Sequence, residues 1–296
     1  KSQKSGINMS FKSTCFAAIQ TLVPQHGLSQ CVGRLAASKK PWVRDRFIQI
    51  FRHFYDINLS EAVIEDAADY DSFNDFFTRA LKPGARPLPE NELAVVCPAD
   101  GAISESGSIA AGRLLQAKNH DYRLDELLPV QKQEWLKYVN GDFTTVYLAP
   151  KDYHRVHMPM AGRLVKTVYV PGMLYSVNQA TAASIPRLFA KNERLIAFFE
   201  SDQGHFCMVL VGAMIVSGIE TVFQGLYRTR PGELLWNDNP RDTQGASIIF
   251  EKGDEFGRFM LGSTVILLTE PGMVSYKDLQ PGQTLRCNQE IGALNS

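Results

Sequence analysis

Three short segments of the 296-residue chain hold side chains that could do chemistry together. Asp100 lies in "CPADGAI", His154 and His157 lie in "KDYHRVHMP", and Ser263 follows Gly262 in "FMLGSTVILLTE". These are the residue types of a nucleophile, a base and a carboxylate that orients the base. Apolar residues on both sides of the Gly-Ser pair leave little room for an external acyl substrate, so the nearest carbonyl is that of Gly262 itself. The serine could equally be an ordinary strand or turn residue.

Other kinds of catalytic site find less support in the sequence. The two histidines form an HxxH pair that could bind a metal, but a third ligand at a plausible spacing is missing, and zinc sites use three or four. The chain also has no GxSxG, P-loop or GxGxxG motif. We therefore expect no metal, no nucleotide cofactor and no nucleic-acid partner.

Charge is distributed unevenly along a chain whose formal net charge is zero. Residues 1–56 hold nine Lys or Arg against Asp45 and Asp56, so a charge of +7 there is balanced by −7 elsewhere. This asymmetry predicts that the N-terminal region meets an anionic surface. The longest uncharged apolar run, residues 206–219, is too short for a membrane-spanning helix. Five widely spaced cysteines without a CxxC pair indicate reduced thiols in a cytosolic protein, and Met9 could be its native first residue.

Helical patterns dominate the first third of the chain. One basic segment has apolar residues at helical spacing on one face: Val43, Phe47, Ile50, Phe51 and Phe54. Such an amphipathic helix could lie in a membrane interface or pack on its own domain. The segment "SEAVIEDAADY" predicts a second, acidic helix, and "DSFNDFFTRAL" predicts a third with Asp71 as N-cap. The proline-rich "KPGARPLP" then stops helix formation.

Alternating patterns replace helical ones from Leu93 onward. The short β-branched runs are "GAISESGSI", "TTVYLAP", "GRLVKTVYV", "LIAFFES", "FCMVLVGAMIV", "GIETVF", "ASIIFEK" and "GRFMLGSTVILL". One helical interruption is expected around "LDELLPVQKQEWLKYV". We predict an α+β fold: a helical, membrane-associating region over residues 1–90, and a mainly antiparallel β sandwich or barrel-like catalytic domain over residues 91–296.

Four segments in the right order resemble the bacterial phosphatidylserine decarboxylases: "FFTRALKPGARPL", "PADG", "DYHRVHMP" and "FGRFMLGSTVILL". The similarity runs from about Phe47 to the C-terminus, and LGST is that family's self-cleavage motif. The resemblance implies a proenzyme cut between Gly262 and Ser263 into a β chain, residues 1–262, and an α chain, residues 263–296. Ser263 would attack the Gly262 carbonyl, with His157 as base and Asp100 holding its imidazole tautomer. The serine would become a covalent pyruvoyl cofactor.

The same resemblance implies the substrate and the surroundings. The pyruvoyl group would form a Schiff base with the amine of phosphatidylserine and act as an electron sink, giving phosphatidylethanolamine. His154 would serve the decarboxylation step, although residues 154 and 157 face opposite sides of a regular strand. A homodimer is implied, bound peripherally to the anionic cytoplasmic face of the bacterial inner membrane. Arg79, Lys82 and Arg86 could meet lipid phosphate or form a solvated basic loop.

Two alternatives stay open from the sequence. One is a self-processing pyruvoyl decarboxylase that acts on a soluble amino acid, against which the basic amphipathic N-terminal region argues. The other is a non-enzymatic carrier or binding module, because "PADGAI" resembles the P-x-D-G turn of barrel-sandwich hybrid proteins. An intact Ser263 in the mature protein would favour the carrier.

Overall fold

The computed structural model describes residues 25–117, 120–213, 218–227, 232, 234–260 and 263–295. The helices are α1 Gln25–Ala36, α2 Pro41–Phe54, α3 Phe73–Phe77, α4 Leu124–Leu127, α5 Lys132–Trp135, α6 Gln179–Ala182 and α7 Leu188–Lys191. Two 3₁₀ turns cover Ala67–Asp69 and Leu136–Tyr138. The helical interruption predicted after residue 124 is therefore present, but it is broken into short pieces.

The basic amphipathic helix is confirmed as α2, and its apolar stripe is divided between two environments. Phe47 and Phe51 pack in an apolar cluster with residues of α3 and Val43 is buried, whereas Ile50 and Phe54 are exposed. The prediction of Asp71 as N-cap of the third helix is wrong by one residue, because the Ser72 side chain accepts the hydrogen bond from the first turn.

The acidic helix predicted over "SEAVIEDAADY" is wrong. Only the 3₁₀ turn Ala67–Asp69 forms there. Ala62 instead bridges Leu81, and the amide of Val63 donates to the carbonyl of Ala80. Pairing with a distant segment therefore overrides the local helical preference.

Most of the described residues after residue 93 lie in antiparallel sheets or the turns between them. The strands are β1 Ala94–Val96, β2 Gly101–Ser108, β3 Arg113–Ala117, β4 His120–Arg123, β5 Asp142–Leu148, β6 Arg155–His157, β7 Gly162–Val170, β8 Arg194–Ser201, β9 Gly204–Gly212, β10 Ile219–Thr221, β11 Gly225–Tyr227, β12 Leu235–Asp238, β13 Ile249–Phe250, β14 Glu255–Phe259, β15 Ser263–Thr269, β16 Val274–Tyr276, β17 Thr284–Leu285 and β18 Glu290–Leu294. The α+β class is confirmed.

The largest sheet has nine strands in the order β12, β7, β8, β9, β15, β5, β2, β17, with β13 also paired to β7. A four-stranded sheet follows the order β11, β10, β14, β6, and a three-stranded sheet the order β1, β18, β16. None of these sheets closes on itself among the described strands, so "barrel-like" describes the fold poorly.

Both faces of the nine-stranded sheet are covered by other elements. One apolar cluster joins it to the three- and four-stranded sheets, and a second joins it to α4, α6 and α7. Along β15, Val265 and Leu267 belong to the first cluster, and Ile266 and Leu268 to the second. This double coverage explains why every residue of β15 is buried. No helix within the described ranges has the length and apolar character needed to cross a bilayer.

Candidate active site

Ser263 is the first residue of a central strand. It pairs with Gly212 of β9 on one side and with Leu148 of β5 on the other. Its side chain is fully buried, and its Oγ has no hydrogen-bond partner among the described residues. A buried hydroxyl without a partner costs stability, so it requires an explanation. Gly262, the other residue of the predicted cleavage site, lies outside the described residues.

His154 lies just before β6, where its carbonyl accepts from the Phe259 amide. Its ring packs on Phe77 with centroids 4.0 Å apart, and its Nδ1 is 2.8 Å from the carbonyl oxygen of Asp152. Burial lowers the pKa of His154 to about 3, an effect that the Asp152 carbonyl opposes and the charge of Arg79 reinforces. The ring is therefore neutral, with its proton on Nδ1. Its buried Nε2 is an open acceptor that no described residue contacts as a donor.

His157, at the end of β6, has both ring nitrogens engaged. Nδ1 is 2.8 Å from the carbonyl oxygen of Gly253, and Nε2 is 2.9 Å from the hydroxyl oxygen of Tyr153. A carbonyl can only accept, so Nδ1 donates and Nε2 accepts the tyrosine proton. Burial also lowers the pKa of His157. The two histidines thus contact different groups. His154 lies outside β6, and the pairing of β6 with β14 shifts register between Glu255 and Gly257.

Asp100 is placed differently from the sequence-based expectation. Its carboxylate is bound by Arg86 through two contacts, Nε–Oδ1 at 2.8 Å and Nη2–Oδ2 at 2.5 Å. The Cys287 amide also donates to Oδ1. No hydrogen bond joins Asp100 to the His157 ring among the described residues, and the Gly253 carbonyl holds the tautomer instead. The charge of Asp100 nevertheless raises the pKa of His157, opposing burial.

A cleft of about 270 Å³ adjoins these groups: Asp100 and Tyr153 line it, whereas His154, His157 and Ser263 do not. Its lining includes Glu61, Arg79, Arg86, Asp100, Asp152 and Tyr153. Of the three basic residues left open by the sequence, Arg79 and Arg86 line this cleft and Lys82 does not. The exposed Lys82 forms an ion pair with Glu65. Sequence reasoning missed Tyr153, although it lies inside the quoted "DYHRVHMP" segment.

Comparison with known proteins gives consistent matches. The sequence model of a family described as "Phosphatidylserine decarboxylase" matches residues 73–293, and a second, described as "PSD", matches residues 15–56. A protein of Alcanivorax borkumensis named "Phosphatidylserine decarboxylase proenzyme" is 49% identical over 96% of this chain and 98% of its own length. Proteins with the same name from Pseudomonas aeruginosa and Pseudomonas putida are 50% and 47% identical, over 91% and 95% of this chain and 93% and 98% of theirs.

Proposed function

This chain belongs to the phosphatidylserine decarboxylase family, and we propose that it cuts itself between Gly262 and Ser263 and then converts phosphatidylserine to phosphatidylethanolamine. The observation that carries this proposal is the Ser263 hydroxyl, which is buried in a central strand without a partner. The named relatives are decarboxylase proenzymes, so the carrier alternative loses its support. Their names also favour a lipid over a soluble amino acid as substrate.

Self-cleavage follows from the chemistry of these residues. Ser263 Oγ attacks the Gly262 carbonyl carbon, the amide C–N bond breaks, and the Ser263 nitrogen takes a proton, which leaves an ester. β-Elimination then releases the Gly262 carboxylate and leaves dehydroalanine at position 263. Water converts the dehydroalanine to a pyruvoyl group and ammonia. Glycine suits the scissile position because it lacks a Cβ that would crowd the tetrahedral intermediate.

We assign His157 as the base in this step and Asp100 as a charge that supports it. Nε2 of His157 currently accepts the Tyr153 hydroxyl proton, so that hydroxyl must turn away or pass a proton on before the base can act. The carboxylate of Asp100 favours the protonated imidazole that forms, although Gly253 is the residue that orients the ring.

The surroundings of residue 263 fit a pyruvoyl group. The position is buried, it begins a strand paired on both sides, and Oγ has no competing partner among the described residues. That group supplies a ketone for the substrate amine and an electron sink for the carbanion left by loss of CO2. His154, also fully buried, presents an unprotonated Nε2 that can accept a proton or hold a donor in place.

The N-terminal helices support peripheral binding to an anionic membrane. Trp42 and Phe54 of α2 are 74% and 73% exposed, and Ile50 is exposed near them. Basic side chains, including Arg46 and Arg52, lie on the same helix. Apolar insertion and attraction to anionic lipid would add together at such a surface. We place the enzyme at the cytoplasmic face of the bacterial inner membrane, as a homodimer by resemblance to the family.

Intact mass under denaturing conditions tests the self-cleavage. We expect two fragments, with the one from position 263 carrying a blocked, hydrazine-reactive N-terminus. Ser263→Ala should give one uncleaved chain, whereas Ser275→Ala, a serine in the same α chain, should cleave normally. The cleaved protein should release CO2 from phosphatidylserine and not from free serine. An uncleaved wild-type chain that persists on incubation contradicts the proposal.

Vesicle sedimentation tests the membrane surface. Binding should require anionic lipid, weaken with added salt, and fall when Trp42 and Phe54 are replaced by Ala. Trp236→Ala removes an equally large exposed ring from β12 and serves as the matched control. Equal binding by both variants argues against α2 as the docking element.

A further inference from the structure

Arg79 is a buried cation that forms no direct ion pair within the described part of the chain, although the charges of Asp100 and Asp152 reach it. Arg79 follows Phe77 by two positions in the sequence, and it is only 5% exposed. Nη2 donates to the carbonyl of Lys151 at 3.1 Å and weakly to that of Asp152 at 3.5 Å. Nε and Nη1 have no partner among the described residues. Burying a guanidinium is unfavourable unless it is paired, so an anion is missing from this arrangement.

The other two guanidinium groups in the cleft already have carboxylate partners. Arg86 contacts Asp100 and Glu61, and Arg286 contacts Glu61. The carboxylate of Asp152, a residue whose backbone carbonyl Arg79 contacts, accepts instead from the Ala149 amide. Arg79 is therefore the guanidinium of the cleft that can receive an anion from outside.

The position of Arg79 connects the cleft to His154. Both Arg79 Nη2 and His154 Nδ1 contact the carbonyl oxygen of Asp152, and Phe77 packs on the same imidazole. The charge of Arg79 also lowers the pKa of His154. An anion bound at Arg79 would consequently lie beside the His154 pocket, at the boundary between the open cleft and the buried region.

We propose that Arg79 binds the phosphodiester of the lipid substrate, an inference that rests on the proposed decarboxylation. The substrate headgroup offers two anions, the phosphodiester and the serine carboxylate. Pairing the carboxylate with arginine would stabilise the charge that decarboxylation must disperse and would slow the reaction. The phosphodiester keeps its charge throughout, so a guanidinium on it strengthens binding without opposing the chemical step.

The test uses soluble short-chain lipids and the full-length, self-cleaved protein. Dihexanoyl phosphatidylethanol carries the phosphodiester but neither amine nor carboxylate, so its calorimetric affinity measures the phosphate contact alone. In Arg79→Gln we expect this affinity to fall about ten- to a hundredfold, with KM for dihexanoyl phosphatidylserine rising by a similar factor. Arg79→Lys should retain part of the affinity. Lys82→Gln removes a charge from the same basic segment outside the cleft and should bind as wild type.

Three results would overturn the assignment. Unchanged phosphatidylethanol affinity with a raised KM for phosphatidylserine would mean that Arg79 meets the carboxylate. If the phosphatidylethanol affinity and the KM for phosphatidylserine are both unchanged but thermal stability is lower, Arg79 only holds the Lys151 and Asp152 carbonyls. If Arg79→Gln does not cleave or fold, inhibition of the wild-type protein provides the test. The assignment is wrong if glycerophosphoethanolamine, which carries the phosphodiester, inhibits turnover no more than acetate does. A wild-type chain that binds phosphatidylethanol but does not cleave would contradict only the proposed function.

Discussion

The buried, neutral His154 should make the stability of this protein depend on pH in a measurable way. Burial lowers the pKa of His154 from 6.5 to about 3. Between these values the unfolded chain binds a proton that the folded chain does not, so the free energy of unfolding decreases as pH falls. The contribution of the neutral ring is complete above pH about 6.5 and falls by about 1.4 kcal/mol for each pH unit below it. Acidification from about pH 7 to about pH 5 should therefore remove roughly 2 kcal/mol.

Urea unfolding of the uncleaved Ser263→Ala chain measures this loss on a single polypeptide. The same measurement on Ser263→Ala/His154→Leu should show about 2 kcal/mol less destabilisation between the two pH values, because leucine does not titrate. Other titrating groups contribute equally to both chains and cancel. A Ser263→Ala/His53→Leu chain, altered at an exposed histidine of α2, serves as the matched control. Equal pH dependence with and without His154 would refute the neutral, buried ring.

Three further substitutions test separate contacts. Asp100→Asn removes one of the two carboxylates paired with Arg86 and should cost about 3 kcal/mol in urea unfolding, whereas a loss below about 1 kcal/mol would show that Glu61 alone suffices. Tyr153→Phe frees Nε2 of His157 and should speed self-cleavage in a gel time course; slower cleavage would mean that the hydroxyl relays the proton. Gly101→Ala places a Cβ 2.3 Å from a carbonyl oxygen of β5 and should lower stability by about 1–3 kcal/mol, which an unchanged melting temperature would contradict.

Strand prediction succeeded where turn residues delimit a β-branched run. The segment "GRLVKTVYV" coincides with β7, because Gly162 and Pro171 bound a stretch that alternates and then becomes wholly apolar. Helix prediction failed at "SEAVIEDAADY", where the local pattern was helical but Ala62 pairs with Leu81. The local sequence does not indicate that this segment pairs with a distant one.

At the candidate site, likewise, the sequence predicts the residue types but not the contacts that they make. Residue types and family motifs predict Ser263, His154, His157 and Asp100 as site residues, and their roles stay predictions. The partner of His157 Nδ1, however, is a backbone carbonyl 96 residues away. Every residue has a backbone carbonyl, so the pattern of residue types cannot predict which one the ring contacts. Asp100 was expected at the imidazole because triads place a carboxylate there, yet Arg86 offers it a two-point ion pair.

The strand pairing of Ser263 is compatible with the proposed self-cleavage. All seven residues of β15 pair with β5 and β9, and the later strands β16, β17 and β18 pair with one another or with β1 and β2. A break before residue 263 would remove one covalent bond but none of these strand pairings. The new terminus would therefore stay where the serine was. That place is apolar, which suits loss of a carboxylate charge, but it cannot accommodate a lipid phosphate without a counter-charge. In the proposed reaction the reacting end of the headgroup would be buried beside residue 263, and its phosphodiester would be held at the cleft by Arg79.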